Sequence, residues 1–240
     1  MGDIILKVGN LSIDFNNHSI LKNVNFEVKR GDILAVVGPN GAGKSVLFRA
    51  LLKLIPFSGT VQWTKGLKIG YIPQKLNVDR EIPLSVLEFF KIKSQDLGAI
   101  KKVLAQVGLA DKNHDNLHLE KHILRQRLGW LSGGQLQRVL IAWAIIDTPD
   151  VLLFDEPTSG IDIGGEETIY NLLNEIHIQR EMTIILISHE LNIVYKYASN
   201  VICLNKEMVC YGLPSEVLDP TALKNLYGGS VGFYKHDHEH

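Results

Sequence analysis

Cysteine, net charge and long apolar runs are all scarce in this chain, and each scarcity excludes something. Of 240 residues only Cys203 and Cys210 are cysteines, too few for the disulfide framework of a small secreted scaffold. They fall on two expected strands joined by Asn205-Lys206-Glu207, where some hairpin registers set them side by side. A bond between them is geometrically open, but in a reducing compartment packed thiols are the expected state. The formal net charge is −1 with 21% charged residues, so no overall basic field draws the chain to nucleic acid or acidic lipid. The longest apolar stretch, Val139 to Ile146, is bounded by Arg138 and Asp147, far short of the ~20 residues of a membrane span. The first residues lack the basic-then-apolar layout of a secretory signal, and Gly2 is not followed by Ser or Thr at the myristoylation position. Membrane contact is therefore expected only through a partner. No internal repeat or low-complexity linker interrupts the chain before its charged, histidine-bearing end.

What the chain does have is alternation. Short β-rich runs at Ile4 to Val8, Leu11 to Phe15 and Val24 to Val28 open it, followed by Ile33 to Val37, Thr60 to Trp63 and Lys68 to Ile72. From Pro83 the texture changes. Ser85 to Phe90 and Asp96 to Val107 read as helices, with Ile100, Val103, Leu104 and Val107 at helical spacing. A further helix is expected over Gln135 to Ile146. Strand-like runs at Val151 to Phe154 and Thr183 to Ile187 then alternate with helices at Glu166 to Gln179 and Leu191 to Tyr197. Alternating strand and helix predicts an α/β fold with a mainly parallel sheet covered on both faces, interrupted by a helical lobe over 76–147.

Chemistry concentrates at a few points on this frame. Gly38-Pro39-Asn40-Gly41-Ala42-Gly43-Lys44-Ser45 is a complete phosphate-binding loop between the strand Ile33 to Val37 and the helix-like Val46 to Leu52. Its glycines let backbone N–H groups converge on phosphates, and the helix N-terminus adds a positive pole. Lys44 can reach the β- and γ-phosphates, and the Ser45 hydroxyl suits a magnesium ion. The chain is expected to bind a nucleoside triphosphate. Asp155 ends a buried strand, where an ionised carboxylate needs a cation or donor, and Mg2+ shared with Ser45 supplies one. Glu156 follows, expected on the opposite face as a general base for water. His189 ends another strand, at the edge where open α/β sheets bind ligands. Ser132-Gly133-Gly134 opens the Gln135 helix and forms a second anion site from hydroxyl, amides and dipole.

Together with the phosphate loop, Leu131-Ser132-Gly133-Gly134-Gln135 and the following Gln137-Arg138-Val139 resemble the ATP-binding subunits of ABC transporters, to about Leu226. The resemblance implies a P-loop NTPase core with an N-terminal antiparallel β region and the inserted lobe as one domain over 1–226, followed by a tail over 227–240. It also implies that Gly38 to Val46 surround ATP, that Phe15 stacks on adenine, and that Leu131 to Gln135 form the signature motif. Val151 to Glu156 then resembles the Walker B strand with its catalytic glutamate, Ser159 to Asp162 the D-loop, Gln74 the Q-loop with a share in Mg2+, and His189 the switch histidine. Family behaviour implies a head-to-tail homodimer in which Ser132, Gly133, Gly134 and Gln135 of one subunit, with Asp162, close over ATP held by Lys44 of the other. It implies integral membrane permease subunits, an extracytoplasmic metal-binding protein reached through them, and a station on the cytoplasmic face of the inner membrane. Three positions depart from the pattern: Phe15 for tyrosine, Val46 for threonine and Trp143 for arginine.

Two histidine clusters bear on the substrate. The ending Val231 to His240 alternates His236, His238 and His240 with Asp237 and Glu239, a set suited to zinc or another borderline divalent cation. A similar ending and a hairpin like Asn205 to Pro214 occur in zinc importer ATPases, so uptake of zinc, or a related metal such as manganese, is the expected role. A solvated tail is the alternative. An ATPase for another substrate and an iron–sulfur assembly scaffold remain open, while a DNA-repair ATPase would need a long coiled-coil insertion that is absent. His114, His118 and His122 share one face if helical, as a metal site or as a solvated elaboration of the lobe.

Overall fold

The computed structural model describes residues 2–16, 18–74, 76, 78–109, 119–156 and 163–227, without the side chains of 119–121 and 163–166. Among these, nine strands form one sheet. Strand β1 (Ile4–Phe15) pairs antiparallel with β2 (His18–Lys29) and with β4 (Ser58–Trp63). The two short runs expected here are one strand. A register shift between Val8 and Leu11 absorbs the polar Gly9-Asn10, with Asn10 left-handed at φ 50°, so the strand bends through a bulge rather than ending.

The rest is the parallel part. Strands β3 (Ile33–Val37), β5 (Ile69–Ile72), β6 (Val151–Asp155), β7 (Thr183–Ile187) and β8 (Asn200–Asn205) lie in the order β8-β3-β7-β6-β5. Every residue of β3, β6 and β7 is buried, which is why their sequences are unbroken apolar runs instead of alternations. Their side chains still alternate between two cores. Ile33, Ala35, Val37, Leu152 and Phe154 face one, whereas Leu34, Val36, Val151 and Leu153 face the other. Helix α1 (Lys44–Leu51) covers the second core with Leu47, Phe48 and Leu51.

Between β5 and β6 the chain leaves the sheet for its lobe. Helix α2 (Val86–Lys91) starts in a capping box made by Ser85 and Glu88, and α3 (Leu97–Gln106) is capped by the Asp96 carboxylate. Residues Leu119–Leu124 make a π-helical turn, and α4 (Gly133–Ile145) returns to the sheet with a second capping box, Ser132 and Gln135. The Trp143 ring stacks on Phe89 at 5.1 Å between centroids, and the Lys93 ammonium lies 4.0 Å from the same ring. Trp143 thus clips α2 to α4 with aromatic and cation–π contacts, a job its sequence position alone did not suggest.

Helices α5 (Ile163–Arg180) and α6 (Leu191–Tyr197) flank β7. After β8, strand β9 (Glu207–Gly212) folds back antiparallel, then come α7 (Pro214–Val217) and α8 (Pro220–Tyr227). Cys203 and Cys210 face each other across β8 and β9 and are joined as a disulfide. This corrects the expectation of packed thiols: the hairpin register puts them directly opposite. No described helix is long and apolar enough to cross a membrane.

Candidate active site

The C-terminal ends of β3, β5, β6 and β7 emerge on one edge of the sheet, and the segments after them build a single cleft. After β3 the loop runs tightly against its neighbours. Gly38 has φ 155°, and a Cβ there would stand 2.0 Å from the Leu204 carbonyl oxygen; Gly43 has φ 96°, and a Cβ would stand 2.5 Å from Leu21 Cδ2. Only glycine fits either position. The Lys44 ammonium donates to the carbonyls of Gly38 at 2.9 Å and Pro39 at 3.0 Å, and Ser45 Oγ donates to Asp155 Oδ1 at 3.2 Å. Asn40 to Val46, with Ile20, Gln74 and Glu156, line a cavity of about 540 Å³, a size that suits a small organic ligand.

Glu156 is where three strand ends meet. Strand β6 stops at Asp155, and Glu156 takes a left-handed φ of 46° with its amide donating to the Ile187 carbonyl at 3.2 Å. The turn brings its carboxylate into the cavity lining, while the buried Asp155 carboxylate meets Ser45 beneath it. The Glu156 carboxylate accepts from Gln74 Nε2, lies 2.5 Å from His189 Nε2 and 3.9 Å from the Lys44 ammonium. Behind His189, the buried Ser188 hydroxyl is 3.1 Å from that of Tyr170 and accepts the Glu190 amide at 3.1 Å. The 188–190 turn that carries the histidine is thereby held from below.

Electrostatics follow from burial. Lys44 and Asp155 are 6% and 3% exposed. Burial pushes the Lys44 ammonium below its ordinary range, opposed by Glu156 and then Asp155. It pushes the Asp155 carboxyl above its ordinary range, against the Ser45 hydrogen bond and with help from Glu156. Tyr71, half-buried on β5, is raised by burial and then by Asp155. A buried carboxylate whose ionised form is disfavoured this way, with a hydroxyl 3.2 Å away, is a donor pair that a hard divalent cation would complete.

The sequence-expected residues divide cleanly. Lys44, Ser45, Gln74, Asp155, Glu156 and His189 come together, with Asn40, Gly41, Ala42, Gly43 and Val46 around them. Gly38 and Pro39 stand behind the lysine, holding it through their carbonyls. Phe15, at the end of β1 opposite His18, is 69% exposed and outside the cavity lining. Ser132, Gly133, Gly134 and Gln135 lie away from that lining. Ser132 Oγ accepts the Gln135 amide at 3.3 Å and Gln135 Oε1 accepts the Ser132 amide at 3.0 Å. Nothing stands within 4 Å of where a Gly134 Cβ would be. Ser159, Asp162, His236, His238 and His240 lie outside the described residues, as do His114 and His118; His122 is exposed on the π-helical turn. Among the described residues no group of three His, Cys, Asp or Glu side chains could hold a metal ion. Sequence reasoning missed Ile20, which reaches the cleft because β2 runs beside the loop, its Leu21 against Gly43.

The sequence pattern of the ABC transporter family matches residues 21–159. The chain belongs to that family. It is an ABC ATPase, 37% identical over 241 residues to the zinc import ATP-binding protein ZnuC of Photorhabdus laumondii, covering 98% of this chain and 90% of the relative. ZnuC of Buchnera aphidicola is also 37% identical, over 243 residues that cover 99% and 98%. Among solved structures, an ABC transporter assigned to the metal-chelate type, in an inward-facing conformation, superposes at a TM-score of 0.80 with 28% identity, covering 93% of this chain and 89% of its own. CbiO1 from Clostridium perfringens, part of the ABC transporter complex cbiONQ, gives 0.73 and 27%, covering 93% and 94%. Of the three departures from the family pattern, one lines this ABC ATPase's cleft. Val46 stands there without a side-chain hydroxyl, whereas Phe15 lies outside the lining with its ring exposed.

Proposed function

We propose that this ABC ATPase powers uptake of a divalent metal, zinc, by hydrolysing ATP on the cytoplasmic face of the inner membrane. The observation that carries the ATPase chemistry is the convergence of Lys44, Ser45, Gln74, Asp155, Glu156 and His189 in one cleft. In this reading the loop amides and Lys44 hold the β- and γ-phosphates, and the Phe15 ring takes the adenine face. Glu156 accepts the proton of the attacking water, while His189 and Gln74, already in contact with its carboxylate, orient it. Ser45, Asp155 and Gln74 are the residues that would hold Mg2+, which when bound neutralises charge on the phosphates. The cargo reading is supported by full-length similarity to zinc import ATP-binding proteins.

The partner arrangement belongs to the same proposal. A signature turn with Gly133 exposed, open space over Gly134 and no part in its own cleft's lining supports a head-to-tail homodimer, each Ser132 to Gln135, with Asp162, closing the other subunit's site. Integral membrane permease subunits hold the pair, and an extracytoplasmic metal-binding protein delivers cargo through them. His236, His238 and His240 bind zinc weakly and adjust the rate, losing affinity below about pH 6.5 as the imidazoles protonate. The test is reconstitution with the permease in vesicles, following radioactive zinc uptake and ATP hydrolysis together. Uptake requiring ATP and abolished by Glu156→Gln is expected. Hydrolysis with no movement of zinc or manganese would overturn the cargo reading but keep the ATPase.

A further inference from the structure

Helix α5 turns a tyrosine into the core behind the reacting centre. Tyr170 is 3% exposed and packs in the cluster that contains Phe154 of β6 and Leu186 of β7. Its hydroxyl stands 3.1 Å from Ser188 Oγ, and Ser188 is itself buried. Phenylalanine would fill the same volume without a polar atom to satisfy, so packing alone does not call for the phenol.

Ser188 is the junction of three segments. Its amide donates to the Val36 carbonyl of β3 at 3.3 Å, its hydroxyl oxygen accepts the Glu190 amide at 3.1 Å, and the Tyr170 hydroxyl meets it from α5. The residues on either side both hold Glu156. The Ile187 carbonyl accepts the Glu156 amide at 3.2 Å, and His189 Nε2 lies 2.5 Å from Glu156 Oε1. A serine oxygen can take the Glu190 amide on one lone pair and still meet the phenol with its proton or its second lone pair. The phenol thereby selects the Ser188 rotamer that closes the turn. Without it the hydroxyl is free to swing away and release the Glu190 amide, and the imidazole loses its fixed approach to Glu156.

We propose that Tyr170 is a positioning residue for ATP hydrolysis, locking Ser188 and through it the turn that presents His189 to Glu156. It touches no reacting atom. The bonds that shape the phosphate loop, Lys44 to Gly38 and Pro39 and Ser45 to Asp155, include neither Tyr170 nor Ser188. Its effect therefore falls on turnover and leaves ATP binding alone. The inference rests on the cleft being the hydrolytic site and on His189 acting there.

The experiment places Tyr170→Phe, which keeps the ring in its packing, in the wild-type chain and in a His189→Ala chain. Steady-state hydrolysis gives kcat and KM, calorimetry gives the Kd for ATP, and single-turnover assays with radiolabelled ATP follow the slow variants. In the wild-type background kcat should fall about three- to tenfold, the range a single net hydrogen bond supplies. Kd and KM should stay within about twofold, since an interaction felt only in turnover leaves binding unchanged. In the His189→Ala background the same substitution should cost nothing more, because the group it positions is gone. An unchanged kcat, a loss shared with Kd, or an equal further loss in His189→Ala overturns the role. A wild-type chain that hydrolyses no ATP, or a His189→Ala chain as fast as wild type, would instead overturn the reading of the site, so the two failures are distinguishable.

Discussion

The phosphate cleft and the signature turn are both built at the N-terminus of a helix, yet they are opposite in finish. In the cleft nearly every polar group has a partner from a distant strand: Ser45 with Asp155, and Gln74, His189 and Lys44 with Glu156. The signature turn satisfies itself locally, Ser132 and Gln135 bonding each other and the Ser132 carbonyl accepting the Leu136 amide, with open space over Gly134. One is a cleft whose polar groups are already partnered within the chain. The other leaves open the helix N-terminus that the proposed head-to-tail dimer would use.

The largest effect expected from breaking this contrast is in the finished site. Glu156→Gln leaves size and hydrogen bonding nearly intact but cannot take a proton from water, so hydrolysis should fall about 10²–10⁴-fold with ATP binding retained. Single-turnover assays beside calorimetry measure both, and near-normal turnover would falsify the general-base role. Ser132→Arg probes the unfinished site. Hydrolysis should drop by at least about a hundredfold, as when a preorganised anion donor is lost, while the isolated monomer's ATP affinity stays put. Normal hydrolysis by a variant that no longer dimerises on a sizing column would show that one chain suffices.

Trp143→Leu sharpens the comparison by loosening the lobe that carries the signature. Loss of the Phe89 stack and Lys93 contact should cost about 1 kcal/mol beyond the lost area, read by denaturant unfolding; no change in midpoint would deny the clip. The smallest effect is in pH. Folding raises the Asp155 carboxyl above its ordinary value of 3.8, so the unliganded fold binds a proton the unfolded chain releases. Stability from this group therefore declines as pH rises through the two values. Cation binding needs the carboxylate, so Mg2+-dependent ATP affinity should weaken on acidification sooner than an ordinary aspartate predicts. Titrations of Asp155→Asn, expected to lack that step, check the assignment.

Much of this was legible because it is written locally. A loop of fixed glycine and lysine spacing, helices announced by Ser85-x-x-Glu88 and Ser132-x-x-Gln135, and unbroken apolar strands need no tertiary knowledge to read. What failed to show depends on pairing. The β1 bulge, the cross-strand position of Cys203 and Cys210 and Ile20 in the cleft are set by register between distant segments. The left-handed turn at Glu156 was hidden for a different reason: no propensity marks glutamate for that conformation.

The place of β5 in the sheet carries a mechanical consequence. It is the outermost parallel strand, bonded to β6 alone through four residue pairs, Ile69 to Ile72. The Ala144 carbonyl of α4 lies 3.0 Å from where a Gly70 Cβ would sit. Gln74, two residues beyond that strand, touches Glu156. The most compliant rung of the sheet therefore joins the lobe to the reacting centre, whereas the loop and the histidine hang from interior strands. Amide hydrogens of 69–72 should exchange with solvent before those of 33–37 or 183–187, and a push on the lobe should reach Glu156 by sliding one edge strand rather than by deforming the core.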